Sequence, residues 1–93
     1  MVTAILLMHV ERGRVNEVAE KLADISGVSE VYSVAGRWDL AAVIRVKEND
    51  RLAELVTAEL LRVEGILETE TMIAFRAFSR HDLEAAFSLG FNK

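Results

Sequence analysis

A chain of 93 residues has room for one domain and not two. Its formal net charge of −4 argues against a nucleic-acid surface, because the 11 basic residues are scattered among 15 acidic ones rather than concentrated. With no Cys and only two His, disulfides and thiolate metal sites are excluded, and no metal or cofactor is expected. A domain this short buries a modest share of its surface, so oligomerisation is the remaining route to stability.

Met1 to Met8 is apolar, but it has no basic flank or cleavage site and ends at His9 and Glu11. That is far short of the ~20 residues that cross a bilayer, so the run reads as a buried strand of a cytoplasmic protein with no membrane role. The unbroken apolar character of Val2 to Val10 predicts a strand covered on both faces. Glu11-Arg12-Gly13-Arg14 is a turn. Val15, Val18, Ala19, Leu22 and Ile25 then recur at helical spacing, opposite Asn16, Glu17, Glu20, Lys21 and Asp24, and Gly27 closes the helix.

Val28 to Ala35 is a second strand, Gly36-Arg37-Trp38-Asp39 a short turn, and Leu40 to Val46 a third strand, so these strands make a hairpin. Asn49-Asp50 offers an N-cap to a helix carrying Leu52, Leu55, Val56, Leu60 and Val63, which ends at Gly65. Ile66 to Phe78 is a long fourth strand, with Thr69, Thr71, Ile73 and Phe75 on one face. Ser79-Arg80-His81-Asp82 resembles a capping box opening a short helix with Leu83, Ala86 and Phe87, ended by Gly90.

The order strand, helix, strand, strand, helix, strand repeats one pattern twice, with Gly27-Val28 and Gly65-Ile66 at matching places. It predicts an α+β, ferredoxin-like β-α-β-β-α-β sandwich: a four-stranded antiparallel sheet with both helices on one face, plus the short C-terminal helix. Residues 1–78 are the domain and 79–93 an extension. The strands are apolar on both sides, and an uncovered sheet face of that kind is a large exposed patch, so a partner subunit is expected to cover it.

Gly36-Arg37-Trp38-Asp39-Leu40 between two strands, followed after the second helix by Gly65-Ile66-Leu67-Glu68-Thr69-Glu70-Thr71, resembles the effector-binding domain of the leucine-responsive regulatory protein/AsnC (Lrp/AsnC) family, also called the RAM domain. The resemblance covers Val2 to Phe78 in element order and length. Members of that family carry a helix-turn-helix domain before this module, and this chain, which begins at the first strand, reads as a stand-alone form. The resemblance implies transcription regulation without direct nucleic-acid binding. It implies homodimers paired through their sheets and assembled into a ring, an octamer or similar. An amino acid or related small effector is then held between dimers near the Gly-x-x-Asp turn and the Thr-x-Thr strand. A full-length family relative is a candidate partner.

The site expected from these residues is Gly36, Arg37, Trp38, Asp39, Thr69, Thr71 and Tyr32. Asp39 and exposed backbone would hold an ammonium, with glycine admitting the ligand to the backbone. Gly and Asp also suit an ordinary tight hairpin, and the two roles are compatible. Trp38 is the one Trp and suits an interface that borders the pocket. Thr69 and Thr71 hydroxyls, with backbone N–H groups, would take the ligand carboxylate, although Thr is also an ordinary strand residue. Arg37 has a planar fork suited to carboxylates. Tyr32 would supply a phenol, or simply pack. Glu68 and Glu70 alternate with the threonines and read as a solvated or subunit-facing edge rather than acid–base catalysts. His9 and His81 read as surface histidines. No catalytic residues are expected, because no nucleophile–base pair, phosphate loop or metal spacing is present. Two alternatives stand beside the effector-binding reading. One is a small cofactor-free monooxygenase or isomerase, which the same dimeric sandwich also hosts. The other is an oligomerisation module that binds no ligand.

Overall fold

The computed structural model describes residues 1–78. Strands β1 (Val2–Val10), β2 (Val28–Ser33), β3 (Leu40–Val46) and β4 (Ile66–Ala74) form one antiparallel sheet in the order β2-β3-β1-β4. Helix α1 (Val15–Ala23) follows β1. Helix α2 (Asn49–Glu54) follows β3 and continues through a π turn, Leu55–Glu59, into a 3₁₀ turn, Leu60–Arg62. The architecture is the ferredoxin-like sandwich that the order of apolar stripes predicts.

Pairing explains the core. Leu6 lies opposite Ala42, and Ala4 opposite Ile44, so large residues face small ones across β1 and β3. Ala4, Leu6, Met8, Val10, Leu40, Ala42, Ile44 and Val46 are buried beneath Val18 and Leu22 of α1 and Leu52, Leu55 and Leu60 of the second helical segment. Each fully buried Leu, Ile or Met contributes about 1.5–3 kcal/mol relative to exposure. Gly27 turns the chain from α1 into β2 at φ +103°, where a Cβ would meet Val46 Cγ1 at 2.9 Å and Leu55 Cδ1 at 3.1 Å. The glycine is required both for the backbone angle and for the close approach.

Among the described residues no helix lies on the other sheet face. Ile5, Val43 and Met72 lie in one row across β3, β1 and β4, with Leu7 beside Ala41 in the next. Ile5 is 37 % exposed and Met72 41 %. The strand predicted to be covered on both faces is covered on one in the single chain.

Several boundaries differ from the sequence expectation. β2 stops at Ser33 rather than Ala35, because the Val34 N–H donates to the Asp39 carbonyl (3.1 Å) and closes a six-residue loop instead of a four-residue turn. β4 stops at Ala74 rather than Phe78, because Ala74 already pairs with Thr3 and β1 has almost run out. The residue at the start of α2 is Glu48, without a side-chain cap, and Asn49 is the first helical residue. The expected C-terminal helix from Ser79 lies outside the described residues. Among those residues no helix is long and apolar enough to cross a membrane.

Candidate functional site

The loop joining β2 to β3 is held to β1 by Asp39. Its N–H donates to the Met8 carbonyl (2.9 Å), and its Oδ2 accepts the Val10 N–H (2.9 Å). β1 shifts register against β4 between His9 and Val10. The Asp39 carboxylate thus stands in for a strand carbonyl where the β1–β3 pairing ends. The bland role of this Asp is therefore real, and Asp39→Ala carries a structural cost beyond any lost ligand contact. Gly36 sits at φ +120°, and a Cβ built there would meet nothing within 4 Å. The backbone at this point faces open space, and glycine is needed there for its angle. Arg37 is exposed at the loop tip, while Trp38 and Asp39 are half-buried.

Trp38 lies stacked on His9, with ring centroids 4.3 Å apart and planes 19° from parallel. His9 in turn lies between two carboxylates: Nδ1 is 3.6 Å from Asp39 Oδ2 and Nε2 is 3.6 Å from Glu68 Oε1. At that length these are close polar contacts rather than formed hydrogen bonds. The result is a line of Asp39 just before β3, His9 of β1 and Glu68 of β4, with an indole laid over its middle. The sequence pattern reads His9 as a surface histidine and Glu68 as a solvated or subunit-facing edge residue. Only the β1–β4 register brings Glu68 opposite His9, on the other side of that ring from Asp39.

The remaining expected site residues lie elsewhere. Thr69 and Thr71 pair with Met8 and Leu6, so they are on the helix-side face of β4, opposite to the face carrying His9 and Glu68. Thr71 lines a groove of about 350 Å³ between α2 and β4, and Thr69 a smaller one of about 130 Å³ nearer Leu60. Tyr32 is on the uncovered sheet face, half-exposed, and its hydroxyl donates to Glu30 Oε2 at 2.5 Å. That bond raises the phenol above its ordinary value and, with Arg45 as a lesser contributor, lowers Glu30 below the usual carboxylate range. Within one chain the structure brings together Gly36, Arg37, Trp38 and Asp39, and separates them from Thr69 and Thr71 by the intervening strand β1 and a change of face.

The family model described as the Lrp/AsnC ligand binding domain matches residues 3–83. The chain belongs to this family. An uncharacterized HTH-type transcriptional regulator of Pyrococcus horikoshii is 41% identical over 59 residues, which are 63% of this chain and 39% of that protein. The chain spans 39% to 49% of the length of the curated relatives it matches. The crystal structure of TTHA0845 from Thermus thermophilus superposes with a TM-score of 0.79 at 42% identity, covering 86% of this chain and 100% of that one. A more distant likeness, at TM-score 0.75 and 12% identity, is the transcriptional regulator NMB0573 of Neisseria meningitidis in complex with L-Met, where 85% of this chain covers 53% of that one. At that identity the likeness shows the shared fold alone. The Lrp/AsnC relatives are named as transcriptional regulators rather than enzymes.

Proposed function

We propose that this Lrp/AsnC domain is a cytoplasmic regulatory module that holds an amino acid or similar effector between two dimers and changes its assembly in response. The observation that carries this reading is the division of the site. Neighbouring strands are ~4.8 Å apart, so Asp39 and the threonines of β4 stand roughly 10 Å apart on opposite faces. The ammonium and carboxylate of an α-amino acid are much closer together than that. One chain offers the ammonium side at Asp39 and Gly36, walled by Trp38, with Arg37 beside it, and a second chain offers the carboxylate side at Thr69 and Thr71. An effector touching both favours the assembly that contains both halves, and by linkage the assembly favours the effector.

The apolar row of Ile5, Val43 and Met72 supports pairing of two copies through their sheets, with Tyr32 and Glu30 at its margin. Such dimers assemble into a ring, an octamer or similar, and a full-length family relative can exchange into it and carry the signal to DNA. The test is a thermal-shift screen against the twenty amino acids and their common metabolites. An effector at a hundred times its dissociation constant adds about 2.7 kcal/mol, a shift of about 10 °C or more in a domain this small. No shift from any of them, with the oligomer intact by light scattering, would refute effector binding and leave a module that only assembles.

A further inference from the structure

We propose that the effector of this domain is an α-amino acid with an apolar, uncharged side chain, which lies in the groove between α2 and β4. The inference rests on the reading that Thr69 and Thr71 take the effector's carboxylate, and it names the effector class. Thr71 edges a groove of about 350 Å³ whose floor is Leu52, Ala53, Val56 and Ile73. Small-molecule pockets run from ~300 to ~1,000 Å³, so a groove of this size suits a free amino acid rather than a larger metabolite. Thr69 lines the neighbouring hollow of about 130 Å³, beside Val56, Leu60 and Ile66. A carboxylate at the two hydroxyls thus has apolar surface on both sides, and of the two hollows the larger has room for a side chain.

The chemistry of the lining selects the side chain. Among the described residues no charged group lines either hollow. A side-chain ammonium or carboxylate laid in the groove gives up water and gains no partner. Polar side chains find little more. The Thr57 hydroxyl is already taken by the Ala53 carbonyl at 2.6 Å. Val56 lines both hollows and so marks the Thr69–Thr71 end of the groove. Asn49, the first residue of α2, lines the groove roughly 10 Å along the helical segment from Val56, beyond the reach of a short amide side chain anchored at Thr71. Ile73 follows Thr71 on the same face of β4 and is 57 % exposed. An aliphatic side chain running from Thr71 towards Asn49 covers it, and each methylene so removed from water strengthens binding about fourfold. Side chains of the size of Leu, Met or norleucine fill this path, and alanine leaves it empty.

Calorimetry on the full, assembled chain tests the class with matched ligands. α-Aminobutyrate, norvaline and norleucine differ by one methylene each, and affinity is expected to rise about fourfold at each step. Lysine carries the carbon stem of norleucine with an ammonium at its end, and should bind about tenfold or more weakly than norleucine, as should glutamate. Ala53→Leu fills the groove from an exposed position of α2 where Leu is a good helix former. It should weaken norleucine about tenfold or more while changing α-aminobutyrate by less than about threefold. Lysine or glutamate binding as tightly as norleucine would overturn the apolar class and leave the effector reading in place. An Ala53→Leu variant that keeps the preference for norleucine would do the same, by showing that the side chain lies outside the groove. Asp39→Asn reports on the effector reading separately, since it weakens every amino acid alike and leaves their ranking unchanged. Binding of no amino acid at all overturns both.

Discussion

Replacing Asp39 separates its two roles. In Asp39→Ala the Val10 N–H loses the acceptor it holds at 2.9 Å. A hydrogen bond to a charged group contributes about 1.5–3 kcal/mol when shielded from water. The Asp39 side chain is 42 % exposed, so water partly replaces it, and the His9 contact at 3.6 Å adds little. The expected loss is about 1 kcal/mol, or about 4–8 °C in Tm for a domain of this size. Asp39→Asn keeps an oxygen in the same place and loses only the charge, so its Tm should stay within about 2 °C of the parent. If Asp39 also holds an effector ammonium, both variants lose affinity by about tenfold or more, which is about 1.4 kcal/mol. Thermal denaturation followed by circular dichroism at one fixed protein concentration reads the first effect, and calorimetry with the effector found by screening reads the second. An Ala variant as stable as the parent would refute the strand-tethering argument. An Asn variant as unstable as Ala would show that charge, not the acceptor, holds the loop.

Ile5→Glu places a carboxylate in the middle of the uncovered apolar row and should convert the protein to monomers in sedimentation velocity with its far-ultraviolet spectrum unchanged; an unaltered oligomer would mean that the sheets do not pair. Gly27→Ala combines φ +103° with a Cβ 2.9 Å from Val46 Cγ1, and should cost about 1–3 kcal/mol. Gly13→Ala, at φ +86° with nothing within 4 Å, should cost less, and equal losses by denaturant titration would show that angle alone decides. Tyr32, the one tyrosine, should titrate above its ordinary value of 10 in an absorbance titration and return towards it in Glu30→Gln. The Tyr32–Glu30 bond links to stability at both ends of the pH scale. Glu30 is lowered, so its share is present above the ordinary 4.5 and fades as pH falls through the folded value; Tyr32 is raised, so its share is present below 10 and fades as pH rises through its folded value. Glu30→Gln should flatten both shoulders, and an unchanged pH–stability curve would count against the bond.

Much of the fold was legible because it rests on local periodicity. Val15, Val18 and Leu22 mark one side of α1 wherever that helix sits, and Val2–Val10 and Leu40–Val46 are strands by the length and character of their runs. The Gly36–Asp39 loop was legible for the same reason, since glycine at positive φ and an Asp beside it are turn chemistry. The ends of β2 and β4 were not, because a strand stops where its partner stops, and β4 has β1 beside it only as far as Thr3.

The site divides along the same line. The sequence by itself determined which side chains carry usable chemistry, Asp39, Trp38, Thr69 and Thr71 among them, and that the threonines alternate with Glu68 and Glu70 along one strand. The tertiary structure alone decided which face of β4 the threonines occupy, that His9 lies between Glu68 and Asp39, and that Tyr32 is committed to Glu30. A one-residue slip of β4 against β1 would exchange the two faces and put Thr69 where Glu68 now stands. That register is set by side chains packed between residues far apart in the chain, which no local pattern encodes.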